Sequence, residues 1–176
     1  MTYDQLVVLW FYSLASPALD DVASFVTAFG NVWAVAAMAT VLFAYLWWRG
    51  YHRLGVLVFA GVYGAIIISG LLKELFQRSR PELWDRFTIE HSYSLPSTHA
   101  MGTMAFVVCV LVIAWPTKWR WYALAAGLTY LLVIGASRVY LGVHYPTDIL
   151  AGWLFGALWV GVVYYAVKKL FASNPR

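Results

Sequence analysis

The chain is predicted to be an all-α bundle built for a lipid bilayer, on three observations. Of its 176 residues, 62% are hydrophobic and 11% charged, under half the ~25% charged share of an average soluble domain. Five long uncharged runs occupy residues 31–48, 54–72, 101–117, 121–137 and 149–167. None of them alternates polar with apolar residues as a strand does, and each is close to the ~17–25 residues that carry a helix across a ~30 Å hydrocarbon core. A backbone in hydrocarbon has to satisfy its hydrogen bonds within its own segment, so five transmembrane helices are expected.

The first thirty residues read differently. Leu6 to Leu14 is apolar but short, Pro17 interrupts it, and Asp20 and Asp21 precede a second apolar stretch from Val22 to Phe29. This is the pattern of an amphipathic segment of one or two helices at the membrane interface, with a sixth, irregular crossing as the alternative. Asp4 is the only charge near the start and no basic stretch precedes the apolar one, so a cleavable signal peptide is not expected. The reading is a single domain over 1–176, with 1–30 interfacial and 31–171 the bundle.

Within the bundle, Cys109 lies mid-run and is the only cysteine, so it reads as a small apolar core residue. Gly152 and Gly156, four apart in the last run, permit close helix packing inside the bundle. Trp47, Trp48, Trp115, Trp119, Trp121, Tyr140 and Tyr145 fall near the ends of the runs, as an aromatic belt at the interfaces would.

Alternating crossings put 49–53, 118–120 and the tail after Val167 on one side, with Arg49, Arg53, Lys118, Arg120, Lys168, Lys169 and Arg176. The other side receives 73–98 and 138–148, with Lys73, Arg78, Arg80, Arg86 and Arg138. Seven basic residues against five place the first side, and the C-terminus, in the cytoplasm. No basic stripe or soluble module points to nucleic acid, and no obligatory protein partner is evident.

Three polar patches interrupt the lipid pattern, and this topology brings all of them to the outer face. They are Lys73-(six residues)-Arg80-Pro81, then Pro96-Ser97-Thr98-His99, then Ser137-Arg138-(five residues)-His144-(three residues)-Asp148. Ionisable groups at membrane depth point to function. Three fixed cations, two histidines and a carboxylate describe a pocket for a phosphate ester. Lys73, Arg80 and Arg138 neutralise the non-bridging oxygens, the arginines with paired hydrogen bonds. Ser97 is a natural N-cap, which aims the N–H groups of Thr98 and His99 at an anion.

Two histidines supply a nucleophile and a proton donor, since one can be neutral while the other is protonated near neutral pH. Asp148, in the first turn after Pro146, is placed to hold His144 by one ring nitrogen and expose the other. With three cations around the phosphate and no carboxylate cluster for magnesium, no metal and no cofactor are expected.

The three patches resemble the three signature motifs of the type 2 phosphatidic acid phosphatase superfamily, related in its phosphate pocket to vanadium haloperoxidases. The likeness runs over roughly 32–167 in motif order, spacing and helix placement. It departs at Thr98, where the family usually carries a glycine that allows φ > 0 and close approach to phosphate. The resemblance implies a metal-independent hydrolase. In it His144 attacks phosphorus, oriented by Asp148, and His99 protonates the leaving oxygen and then activates water. Lys73, Arg80, Ser97, Thr98, His99 and Arg138 bind the phosphoryl group.

A lipid substrate fits a pocket among membrane spans, because its tail stays in the bilayer. Undecaprenyl pyrophosphate, lipid A 1-phosphate, phosphatidylglycerol phosphate and phosphatidic acid all fit, in a bacterial inner membrane with the site facing outward. A haloperoxidase and a non-catalytic lipid-binding or transport subunit are the competing classes; neither fits a membrane chain carrying both histidines and Asp148 as well. Ser137 reads as a helix hydrogen-bonding residue. Arg78, Glu82, Asp85, Glu90 and His91 read as solvated parts of an outer loop over 77–96 that roofs the pocket.

Overall fold

Each apolar run becomes one helix because its backbone can pair internally and few of its side chains compete for those bonds. The computed structural model describes residues 1–82 and 92–172. They form α1 (Tyr3–Ser13), α2 (Pro17–Ala28), α3 (Val32–Trp48), α4 (His52–Phe76), α5 (Thr98–Ala114), α6 (Arg120–Tyr140) and α7 (Pro146–Ala172). Of the outer loop expected over 77–96, residues 83–91 lie outside the described residues, and with them Asp85, Arg86, Glu90 and His91.

Small polar residues set the helix starts. Thr2 and Gln5 form a capping box on α1, Ser16 caps α2 with Pro17 in its first turn, and Asn31 accepts from the N–H groups of Trp33 and Ala34. Pro17 therefore begins a helix as much as it ends one, since its missing N–H would have had no partner at that position. The N-terminal segment is two helices, bent by 120° at the break between them.

The five runs are five helices, but length and composition alone qualify only α4, α6 and α7 as crossings, with the bent α1–α2 pair a fourth if it counts as one span. Helices α3 and α5 are apolar but have 17 residues each. At 1.5 Å per residue they reach roughly 26 Å, a little under the ~30 Å core.

Helix α5 packs against α7, α4, α6 and α3, while α3 lies on α4 and α2 on α6. Val35, Val58, Val62, Met101, Ala105 and Val160 meet in the main core. Cys109 is buried there as a small apolar residue. Helices α5 and α7 approach at backbone distance. A Cβ on Gly152 would stand 2.8 Å from the Ser97 carbonyl oxygen, and one on Gly156 would stand 2.6 Å from that of Met101. The glycine pair thus serves packing within the bundle, as its spacing suggested, and it brings the start of α5 onto the first turns of α7.

The surface inverts the pattern of a soluble protein. Leu132, Leu150, Leu154, Leu158 and Val162 are more than half exposed, while Lys73, Arg80, Arg138, His144 and Asp148 are buried. An apolar exterior around a polar interior suits lipid rather than water. Trp47, Trp48, Trp115, Trp119 and Trp121 are exposed near helix ends, as expected for a belt. Tyr140 is not part of that belt: it is buried, donating its hydroxyl to Asp20 at 2.6 Å and accepting from the Ser16 N–H at 3.3 Å. The turn of α2 onto α6 draws it inward.

A methyl group at Gly156 would meet the Met101 carbonyl oxygen at 2.6 Å and Met104 Cβ at 3.2 Å, neither of them the free end of a flexible side chain. Gly156→Ala is expected to destabilise the bundle by about 1–3 kcal/mol, read as a lower unfolding midpoint in detergent. Gly161→Ala, where an added Cβ meets nothing within 4 Å, should leave that midpoint nearly unchanged.

Candidate active site

The third patch is shaped by how α6 ends. The Val143 N–H bonds back to the Arg138 carbonyl at 3.3 Å and the Gly142 N–H to that of Val139 at 3.0 Å. With Gly142 at φ 67°, this is a Schellman stop, whose left-handed residue is cheapest as glycine. The turn reverses the chain within five residues, so Arg138 in the last turn and His144 beyond it face one space. Ser137 donates to the Ile134 carbonyl at 2.7 Å, the backbone of its own helix, as its place in the run suggested.

Asp148 lies in the first turn of α7 and is fully buried. Its Oδ2 accepts a short hydrogen bond from the Ser94 hydroxyl and one from the Tyr145 N–H at 2.8 Å. Its Oδ1 accepts from Arg78 at 2.7 Å, and its carbonyl accepts from the Ser97 N–H at 3.1 Å. The two helix starts that carry the second and third patches are therefore bonded directly to each other.

His144 is 1% exposed and held between opposite charges. Its Nε2 lies 3.3 Å from Arg80 Nη1, and its Nδ1 faces Asp148 Oδ2 at 3.5 Å. A guanidinium can only donate, so Nε2 presents its lone pair and a neutral ring carries its proton on Nδ1, toward Asp148. Burial pushes the His144 pKa down to about 3. Asp148 draws it up, while Arg138 and Arg80 draw it further down. The ring is therefore neutral at neutral pH, with its free nitrogen on the cationic side.

Lys73, in the last turn of α4, donates to Ser92 Oγ at 3.1 Å and to the Tyr93 carbonyl at 2.7 Å. Arg80 donates to the Ser92 and Val143 carbonyls at 2.7 and 2.8 Å. Arg138 Nη1 donates to Thr27 Oγ1 on α2 at 3.2 Å. Ser97 caps α5 by accepting from the Ala100 N–H, and Thr98 accepts from the Ser69 hydroxyl at 3.0 Å. Arg138, His144, Lys73 and Arg80 all lie within electrostatic reach of His99.

All eight sequence-predicted residues thus meet at one end of the bundle. Thr98 opens α5 with ordinary helical backbone, and Gln77 is the only non-glycine residue at positive φ among the described ones. The position usually held by glycine therefore needs no glycine conformation here. Among the described residues no three His, Cys, Asp or Glu side chains gather as a metal site would.

Arg78 corrects the sequence reading. Far from being a solvated loop residue, it reaches Asp148 at 2.7 Å and Asp4 Oδ2 at 2.6 Å, and lies 4.4 Å over the Tyr145 ring. Asp4, Ser92 and Ser94 also went unmarked. Arg78 stands two residues before a motif arginine, a weak hint, but nothing local ties it to Asp4, 74 residues earlier.

The depressed His144 pKa sets a direction for stability. The unfolded ring binds a proton below about 6.5 and the folded one only below about 3, so the stability present above pH 6.5 is lost as pH falls through that window. Unfolding midpoints in detergent are expected to fall from pH 6.5 toward 3, and less steeply for His144→Asn.

Residues 54–172, more than half of the chain, match the PAP2 superfamily. The chain is 26% identical over 158 residues to an undecaprenyl-diphosphatase of Sulfolobus acidocaldarius, covering 86% of this chain and 71% of that one. It is 28% identical over 181 residues to the undecaprenyl-diphosphatase BcrC of Bacillus subtilis, covering 97% and 86%. It spans about half the length of several other lipid phosphatases that it matches. The fold superposes on the crystal structure of a transmembrane PAP2 type phosphatidylglycerolphosphate phosphatase from Bacillus subtilis. The TM-score is 0.82 at 24% identity, over 97% of this chain and 85% of that one. Matched along most of its length by sequence and nearly all of it by fold, the chain belongs to the PAP2 superfamily of membrane phosphatases.

Proposed function

We propose that this lipid phosphate phosphatase removes the terminal phosphate of an envelope lipid through a phosphohistidine on His144. The observation that carries the reading is the His144 ring, neutral, with its Nε2 lone pair beside Arg80 and its Nδ1 toward Asp148. That is the tautomer a nitrogen nucleophile needs. Nε2 attacks phosphorus as the bond to the leaving oxygen breaks, and His99 donates the proton that oxygen takes up. Asp148 steadies the charge that builds on the ring. Water, giving its proton to His99, then attacks phosphorus, breaks the P–N bond and releases inorganic phosphate.

Lys73, Arg80 and Arg138 supply the charge neutralisation that dominates phosphoryl transfer, with the N–H groups of Thr98 and His99 at the N-terminus of α5. In this mechanism the three cations do the work that a metal ion would otherwise do. In the structure Lys73 and Arg80 bond to Ser92 and Tyr93, and a phosphate would exchange with those contacts.

An apolar cavity of about 310 Å³ supports a lipid substrate. It lies between α1, α2 and α6, lined among others by Phe11, Leu14, Val22, Val26, Val133 and Ser137. Ser137 adjoins Arg138, which bonds Thr27 beside Val26, so a tail in this cavity would leave its headgroup at the cations. Relatives that act on undecaprenyl diphosphate match over most of their length, which puts that lipid first. Lipid A 1-phosphate, phosphatidylglycerol phosphate and phosphatidic acid share the same terminal chemistry.

We read the chain as one domain with α3 to α7 as five crossings, α3 and α5 being accommodated by slight local thinning. Helices α1 and α2 lie at the outer interface. The basic connectors face the cytoplasm with the C-terminus, and the site faces outward from a bacterial cytoplasmic membrane.

Phosphate release from a panel of those four lipids in detergent, with EDTA present, tests the reading. Wild-type protein is expected to release phosphate from at least one. His144→Ala should lose roughly 10³-fold or more, and His99→Ala about 10²–10⁴-fold. Full activity in His144→Ala would overturn the nucleophile, and loss of wild-type activity with EDTA would overturn the metal-free mechanism.

A further inference from the structure

A buried carboxylate with two oxygens needs partners on both. Asp148 Oδ2 faces His144 and already accepts from Ser94 and the Tyr145 N–H. Oδ1 accepts from Arg78 Nη1 at 2.7 Å, and Asp148 is 0% exposed. Without Arg78, Oδ1 would be left buried and the carboxylate would turn to find another donor. His144 Nδ1 stands 3.5 Å from Oδ2, already at the edge of a hydrogen bond, so a small rotation decides whether that bond forms.

Arg78 is itself held from elsewhere. Its other nitrogen, Nη2, donates to Asp4 Oδ2 at 2.6 Å, and its face lies over the Tyr145 ring at 4.4 Å. Asp4, a residue of α1 that is 8% exposed, also accepts from the Thr147 N–H at 3.2 Å and from the Thr147 hydroxyl. Asp4 thus supplies a carboxylate from α1 to the positive end of α7, on which α1 packs. A planar guanidinium bridges two carboxylates on two helices, which an ammonium cannot do with the same geometry.

Helix α1 buries Val8 against the bundle and exposes Leu6 and Trp10, so its outward face is apolar. We propose that Arg78, gripped by Asp4, is a positioning residue for Asp148, and that it ties the interfacial N-terminal helix to the group that orients the nucleophile. The proposal rests on the assignment of Asp148 and His144 made above. It adds to the three signature patches a fourth element, Asp4–Arg78–Thr147, whose partners come from α1, the segment after α4 and the start of α7.

Steady-state kinetics on the preferred lipid in detergent micelles, alongside His144→Ala and with unfolding midpoints measured for each variant, test it. Arg78→Gln is expected to lower kcat per folded protein by about 10- to 100-fold with KM little changed, and to lower the unfolding midpoint as well, since two buried carboxylates lose a charged donor. Asp4→Asn should give a smaller loss of kcat, and the double variant should be no slower than Arg78→Gln alone. Should Arg78→Gln not fold, Arg78→Lys carries the test. It keeps the charge but not the fork, and should lose kcat at constant KM. Wild-type kcat in Arg78→Gln with His144→Ala inactive would overturn this proposal alone, whereas activity in both would overturn the reading on which it rests. Multiplying losses in the double variant, or a fall in folded yield with kcat per folded protein intact, would also overturn it.

Discussion

The site depends on keeping one carboxylate, Asp148, out of water and fully satisfied. An ionised carboxylate in an apolar bundle persists only if donors surround it, and here they come from three separate stretches of chain: Arg78, Ser94 and the Tyr145 backbone. Because each donor must sit within about 3 Å, that requirement holds the segment after α4, the loop before α5 and the turn before α7 in one arrangement. His144 then has a single direction in which to send its Nδ1 proton, and its other nitrogen is left to the cations.

The packing that permits this is set several residues away. Gly152 and Gly156 let α7 come against α5 at backbone distance, so the Ser97 N–H can reach the Asp148 carbonyl. Had either glycine carried a side chain, the starts of the two helices would stand apart, and the N-terminal N–H groups of α5 would no longer share a space with His144. Gly142 does the same for α6 by closing its Schellman turn. Small residues in a lipid-facing bundle thus position charged ones, since close backbone approach is a main source of helix affinity where apolar burial drives little.

Much of this was legible in the sequence because membranes impose strong patterns. Charge in a bilayer is costly, so Lys73, Arg80, Arg138, His144 and Asp148 stood out against uncharged runs, and the positions of His99 and Ser97 followed from the helix start they occupy. Tyr140 and Arg78 depart from what their local sequence suggests for one physical reason. A tyrosine at a helix end looks the same whether it faces lipid or a neighbouring helix, and an arginine in a loop looks the same whether it meets water or a buried acid. Their partners, Asp20 and Asp4, lie 120 and 74 residues away. Helix count in the first thirty residues is likewise set by the 120° bend between α1 and α2, which no local pattern fixes.

By itself the sequence determined the all-helical class, the order of helices α3 to α7, the membrane setting and the residue types of the site. Those follow from hydrocarbon length, backbone self-satisfaction and the cost of burying charge, all of which act locally along the chain. Only the tertiary structure decided which donors hold Asp148, which nitrogen of His144 is free, and that α1 reaches the site through Asp4 and Arg78. These are contacts between segments far apart in sequence, chosen by where helices pack and turn. No local pattern encodes them, because the same side chains would be equally stable at the surface if the bundle closed another way.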